Sequence, residues 1–182
     1  VWIKAWIFHS VNKFLSIKNV YVDVKYDNVL AKIATELEFV GGGELAIEIP
    51  ATYNGLPVTR IEALAFCENA EITGIRMPST VTGIGDNAFY YCTALNSLVI
   101  PNAVTSLGWE ICYNCSALTS VTIGSEISEL SDGTFSYCDA LQSITCLALE
   151  PPVLENSFVF PDVSTATLSV ACGNLSIYSD TT

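Results

Sequence analysis

Cys112-Tyr113-Asn114-Cys115 is the segment whose residue types and spacing come closest to chemistry. A Cys-x-x-Cys pair is the spacing of a dithiol redox couple or of half a zinc site. A zinc site needs further thiols or imidazoles nearby. The chain has no second such pair and a single histidine, His9, far away in sequence. One distant histidine also leaves a Ser-His-Asp or Cys-His nucleophile without a placed base. Glu126, Glu129 and Asp132 lie among Ser125, Ser128 and Ser131 and offer the hard oxygens that Ca²⁺ prefers. They lack the Asp/Gly rhythm of a calcium loop and are read as a solvated loop. Gly41-Gly42-Gly43 lacks the Lys-Ser/Thr that would follow in a phosphate loop, and is read as a flexible turn. Glycoside cleavage needs two carboxylates ~5 to 9 Å apart in a cleft, which no spacing here specifies. No catalytic residue, cofactor or metal is assigned, and the chain is not expected to be an enzyme.

What the residues do specify is a beat. Phe66, Phe89, Phe135 and Phe158 share one lattice with a step of 23 residues, and Cys112 fills the missing place. Ile61, Ile84, Leu107 and Leu130 sit five before each beat; Ile72, Leu95, Leu118 and Leu141 sit six after it. Ile75, Leu98, Val121 and Ile144 follow at nine, and Met77, Ile100 and Ile123 at eleven. A period of this size is the signature of a solenoid, whose coils bury their apolar residues only by stacking. Cys92, Cys115 and Cys138 also share a phase. Stacked equivalents lie about 5 Å apart with side chains pointing the same way, so they are read as small buried hydrophobes rather than disulfides. Cys112 and Cys115 then both face the core, which disfavours redox or metal chemistry.

Composition narrows the partners. The 182 residues carry a net charge of −12, and after Arg76 there is no Lys or Arg while ten carboxylates follow. Nucleic acid and anionic membrane surfaces both require cations, so neither is an expected partner. Any electrostatic steering would favour a basic partner. No apolar run reaches the ~18 to 20 residues of a membrane helix, so no membrane insertion is expected. The chain opens on Val1 rather than Met and is read as a fragment or a processed form, with any signal or anchor outside it.

Four segments are expected. Residues 1–18 place Ile3, Ile7, Val11 and Phe14 on a helical stripe, suiting a helix that caps the solenoid, with a membrane-surface helix or an added leader as alternatives. Residues 19–48 alternate as strands and form a β-rich N-terminal cap. The repeats occupy 49–160, the first with five extra residues around Asn54-Gly55. Residues 161–182 form the C-terminal cap.

The segment Ile100-Pro101-Asn102-Ala103-Val104-Thr105-Ser106-Leu107-Gly108 leads to Cys115-Ser116-Ala117-Leu118-Thr119-Ser120-Val121-Thr122-Ile123. It resembles the leucine-rich repeat of the BspA-like (Treponema pallidum type) family. So does Val81-Thr82-Gly83-Ile84-Gly85-Asp86-Asn87-Ala88-Phe89-Tyr90-Tyr91-Cys92, and the likeness extends over about residues 44–180. Cys112 for the aromatic, Gly124 for the proline after the strand and Asn69 for the repeat cysteine depart from the pattern. The resemblance implies an α/β repeat: a right-handed leucine-rich solenoid of about five coils, with short strands on one side and tight helical turns on the other. It also implies a bacterial cell-surface or secreted protein that adheres through an extracellular protein or glycan ligand. A structural spacer or self-associating surface module is the alternative. On each strand the residues flanking the central apolar position should face out on the concave sheet. The expected ligand-binding residues are therefore Arg76, Ser97, Val99, Ser120, Thr122, Ser143 and Thr145. A second possible site is the set of tyrosines in the turns, Tyr90, Tyr91, Tyr113 and Tyr137.

Overall fold

Apolar residues on a 23-residue lattice are buried only if successive periods lie on one another, and they do. The structure is a computed structural model that describes residues 5–8, 14–17, 45–53, 55–155, 159–160 and 166–170. Near the start, β1 (Ala5–Phe8) and β2 (Phe14–Ile17) pair antiparallel. The single helix expected over 1–18 is not formed there, because Ala-Trp-Ile-Phe and Phe-Leu-Ser-Ile are rich in aromatic and β-branched strand formers. The alternating valines and the triple glycine of the expected N-terminal cap lie outside the described residues.

The chain then runs β3 (Leu45–Glu48), β4 (Thr52–Tyr53), β5 (Leu56–Pro57), β6 (Arg60–Ile61), β7 (Ile72–Arg76) and β8 (Gly83–Ile84). It continues with β9 (Ser97–Val99), β10 (Ser106–Leu107), β11 (Ser120–Ile123) and β12 (Glu129–Leu130). It ends with β13 (Ser143–Cys146), β14 (Val153–Leu154) and β15 (Thr167–Val170). Six of these form one parallel sheet in the order β3-β7-β9-β11-β13-β15. A second, narrower side is laddered by β6-β8-β10 and by β12-β14. The result is a β-solenoid of about four 23-residue turns, rather than about five. The edge strands β3 and β15 come from the segments assigned to the two caps. The five extra residues of the first repeat are spent on the β4–β5 hairpin, which turns at Gly55 with φ of 79°.

The third side holds the beat, and here the helical expectation fails. Among the described residues no helix forms, so the α/β class and the helical turns are not found. The reason lies in the backbone. Leu64, Phe66 and Glu68 donate their N–H groups to the carbonyls of Asp86, Ala88 and Tyr90 in the next coil. Ala65, Cys67 and Asn69 donate back within their own turn, to Glu62, Leu64 and Phe66. Alternate amides therefore point along the solenoid axis instead of around a helix. The alternation requires left-handed residues, and these recur in pairs at Leu64/Glu68, Asn87/Tyr91, Glu110/Asn114 and Gly133/Tyr137, all with positive φ. A helix would instead spend these donors along its own axis, leaving fewer to bond the adjacent coil. Pairing them with the adjacent coil welds the turns into a wall.

Inside, the phases stack as the lattice predicts. Phe66, Phe89 and Phe135 are fully buried, and Phe66 stacks on Phe89 at 5.4 Å. Burying one such side chain contributes roughly 1.5–3 kcal/mol. Cys112 is tolerated on the beat because Ile111 precedes it where Phe66 and Phe89 follow Ala65 and Ala88, so bulk moves one residue upstream and both stay buried. The last beat shifts. Phe135 stacks at 5.3 Å on Phe160, and its amide bonds to Val159, two residues beyond the lattice. Phe158 lies outside the described residues.

The cysteine phase is a hydrogen-bonded ladder, with no disulfide among the described cysteines. The thiols of Cys92, Cys115 and Cys138 donate to the carbonyls of Phe66, Phe89 and Cys112 in the preceding coil, at 3.1–3.2 Å. Asn69 takes this position in the first repeat, where its Oδ1 instead accepts the amides of Glu71 and Ile72. Gly124 replaces proline because a Cβ there would stand 2.4 Å from the Pro101 carbonyl oxygen.

Candidate binding surface

Strand alternation turns one set of side chains of the six-stranded sheet inward and the other outward. Ile47, Ile75, Leu98, Val121 and Ile144 point in and are buried. The seven expected residues all lie on the outward set. Ser97, Ser120 and Ser143 are directly in register, continued by Gly74 on one side and Thr167 on the other. Val99, Thr122 and Thr145 form the second row, continued by Ser169. Ser97, Val99 and Arg76 are exposed, and the others are half-buried by their neighbours. Val99, 56% exposed, is the one large apolar side chain in the middle of the face.

Arg76 does not stand alone, as the sequence suggested. Glu48 is its register partner on β3, and the two are 3.9 Å apart. Both side chains are well exposed, so the pair contributes little to stability, about 0–1 kcal/mol. Its effect is to cancel the one positive charge on this face. The signal that would have found Glu48 is the strand Leu45-Ala46-Ile47-Glu48, whose alternation places the carboxylate outward.

The turn wall carries the second feature. Tyr90 and Tyr113 stack at 5.2 Å, Tyr91 lies 4.7 Å from Tyr90, and Tyr137 lies 4.9 Å from Tyr113. Four tyrosines from three coils thus become one stripe. The phenols of Tyr90 and Tyr113 are both held above their ordinary pKa, first by desolvation. For Tyr90, Tyr91 and then the Glu110 carboxylate add to the effect. Trp109, 63% exposed, opens the turn that carries Tyr113, its amide bonded to Asp86 Oδ1.

The remaining candidates do not assemble. Cys112 and Cys115 are fully buried, and burial pushes the Cys112 thiol up, so this pair presents no thiolate. Glu126, Glu129 and Asp132 do not converge, and no group of three metal-ligating side chains forms among the described residues. His9 lies outside the described residues. Among those described, no helix is long and apolar enough to cross a membrane. At the last coil Leu130, Ile144, Cys146, Pro152, Phe160 and Leu168 line a cavity of about 580 Å³. Its lining is predominantly apolar, and no charged side chain is among the lining residues.

These features match known proteins. A BspA type leucine rich repeat region matches residues 59–176 in six copies. No curated protein matches the chain. A leucine-rich repeat protein from Eubacterium ventriosum ATCC 27560 superposes with a TM-score of 0.59 at 28% identity, over 72% of this chain and 33% of that one. The pneumococcal vaccine antigen PcpA superposes with a TM-score of 0.58 at 22% identity, over 74% and 32%, a likeness of fold alone. The chain spans about a third of the length of each.

Proposed function

The chain belongs to the BspA-type leucine-rich repeat family, and from that premise we propose a non-catalytic binding module that holds an extracellular protein or glycan against its six-stranded sheet. Leucine-rich repeat solenoids are typically protein-binding scaffolds, and a stacked-coil surface suits extended ligands. The observation that carries the reading is the register of the outward rows. Ser97, Ser120 and Ser143 lie side by side, and Thr122 and Thr145 continue the row that begins at Val99, so hydroxyl donors and acceptors repeat at coil spacing. With Arg76 offset by Glu48, the face is flat, weakly polar and nearly uncharged. It lacks central Trp, Tyr or unpaired Arg anchors, which suits modest affinity per site. We place the module on the surface of a bacterium or outside it, acting in adhesion, as the family resemblance implies.

A solid-phase screen of the purified chain against matrix proteins, mucins and bacterial surfaces tests this, with light scattering of the same sample as control. Saturable binding that falls on Ser120→Arg, Ser143→Arg or Arg76→Glu is the expected result. A folded, monodisperse chain that binds none of them would sink the adhesive reading and favour a spacer role.

A further inference from the structure

The repeat orders a second surface, one that the sheet-face reading leaves unused. We infer that the tyrosine stripe of the turn wall, flanked by Glu68 and Glu110, binds an extended peptide carrying arginine or lysine side chains about three residues apart. The stripe is built from two adjacent columns. Tyr90 and Tyr113 stand in one; Tyr91 and Tyr137 stand in the other, at positive φ, with Glu68 at the head of that column. Tyr91 is 38% and Tyr137 58% exposed, so the aromatic surface is open to a ligand.

The charge around it selects the ligand. Aromatic faces carry negative potential and attract guanidinium and ammonium groups. Glu68 and Glu110 both lie close enough to Tyr90 to hold its phenol up electrostatically. The ion pairs of the described residues are Arg60 with Glu62 and Arg76 with Glu48, so neither Glu68 nor Glu110 has a cationic partner among them. No Lys or Arg occurs after Arg76 to neutralise the stripe. A neutral sugar stacks on the rings and donates hydroxyls to the carboxylates; a cationic side chain adds to these contacts the charge–charge attraction of Glu68 and Glu110 and the cation–π attraction of the rings. Spacing follows from the ring centres, 5.2 Å from Tyr90 to Tyr113 and 4.9 Å on to Tyr137. A peptide in the polyproline II conformation advances about 3.1 Å per residue and returns to the same face every third residue, so cations three residues apart reach both ends from one side.

The test is a fluorescence-polarisation titration of the whole chain with the labelled peptide Arg-Ser-Ser-Arg-Ser-Ser-Arg. The same peptide with citrulline for arginine serves as the neutral isostere. Salt-sensitive binding of the arginine peptide alone is expected. Tyr91→Asn with Tyr137→Asn removes two exposed rings and weakens binding about tenfold, and asparagine keeps the left-handed backbone so the chain still folds. Glu68→Gln with Glu110→Gln leaves the shape intact, weakens binding severalfold and flattens the salt dependence. Ser120→Tyr on the sheet leaves the titration unchanged, so failure of this inference and failure of the sheet-face reading are seen separately. Equal binding of the citrulline peptide, no binding of either, or unaltered affinity in the glutamine variant overturns the proposal. So does preferential binding of a neutral oligosaccharide such as chitotriose, which would make the stripe a sugar platform.

Discussion

Two glycine-to-alanine changes should move stability in opposite directions, and the difference measures how tightly the coils approach. Gly108 follows β10 where the chain lies against the coil before it. A Cβ built there meets Asp86 N at 2.3 Å, Oδ1 at 2.4 Å and Cα at 2.6 Å. Two of these are backbone atoms that no rotamer change removes. Restoring ordinary contact, about 3.5 Å between heavy atoms, requires the coils to part locally by roughly an ångström. That strains the bonds from Gly108 N to the Ile84 carbonyl, 2.8 Å, and from Trp109 N to Asp86 Oδ1, 3.0 Å. Each such bond is worth about 1 kcal/mol net, and overpacking adds about 1–3 kcal/mol. Gly108→Ala is therefore expected to cost about 3 kcal/mol. Gly74 has the same chemistry on the outer sheet face, where its Cβ would meet only Ala46 Cβ at an ordinary 3.8 Å. Gly74→Ala should be neutral or stabilise by about 0.5 kcal/mol through the unfolded chain. Urea titration followed by far-ultraviolet circular dichroism reads the difference, about 1.5 M in midpoint at a slope near 2 kcal/mol per M. Midpoints within 0.3 M of each other (roughly 0.5 kcal/mol at that slope) would refute the claim that inter-coil contact excludes a side chain at Gly108.

Phe89→Ala removes a fully buried ring stacked on Phe66 and should cost about 3–5 kcal/mol; because coils are stable only on their neighbours, calorimetry should show one lowered transition rather than loss of one coil. Stability should also fall in alkali. Desolvation raises the Cys92 thiol from 9.0 to about 12, and Cys112, Cys115 and Cys138 are raised as well. A raised pKa means the thiol stabilises the fold in its neutral form. That contribution is intact below about pH 9 and is lost as pH rises toward the folded values, at about 1.4 kcal/mol per pH unit for each thiol. Melting temperatures that stay flat from pH 8 to 11 would contradict this.

The 23-residue beat fixes which side chains are buried, and the structure agrees at almost every phase, because burial is a property of residue type and period. Alternation on β7, β9, β11 and β13 likewise makes the seven outward residues legible, since a strand has only two faces. What periodicity does not carry is where backbone hydrogen bonds go. The turns read as helical because a compact segment with a buried Phe suits a helix; stacking instead gives every second amide a carbonyl one coil away, and left-handed residues such as Asn87 and Asn114 accommodate it. The same applies to the thiols, whose acceptors lie 26 residues upstream, to Glu48 facing Arg76, and to Phe160 taking the place of the lattice position before it. The tyrosines were visible as residues of the turns, but their merger into one stripe is seen only once rings from neighbouring coils are found 4.9–5.2 Å apart. Sequence thus determined the repeat, its core and the outward rows of the sheet, all local consequences of residue type and spacing. Only the tertiary structure decided the turn backbone, the thiol ladder and the charge balance of each face, because these depend on which residue of the next coil stands opposite.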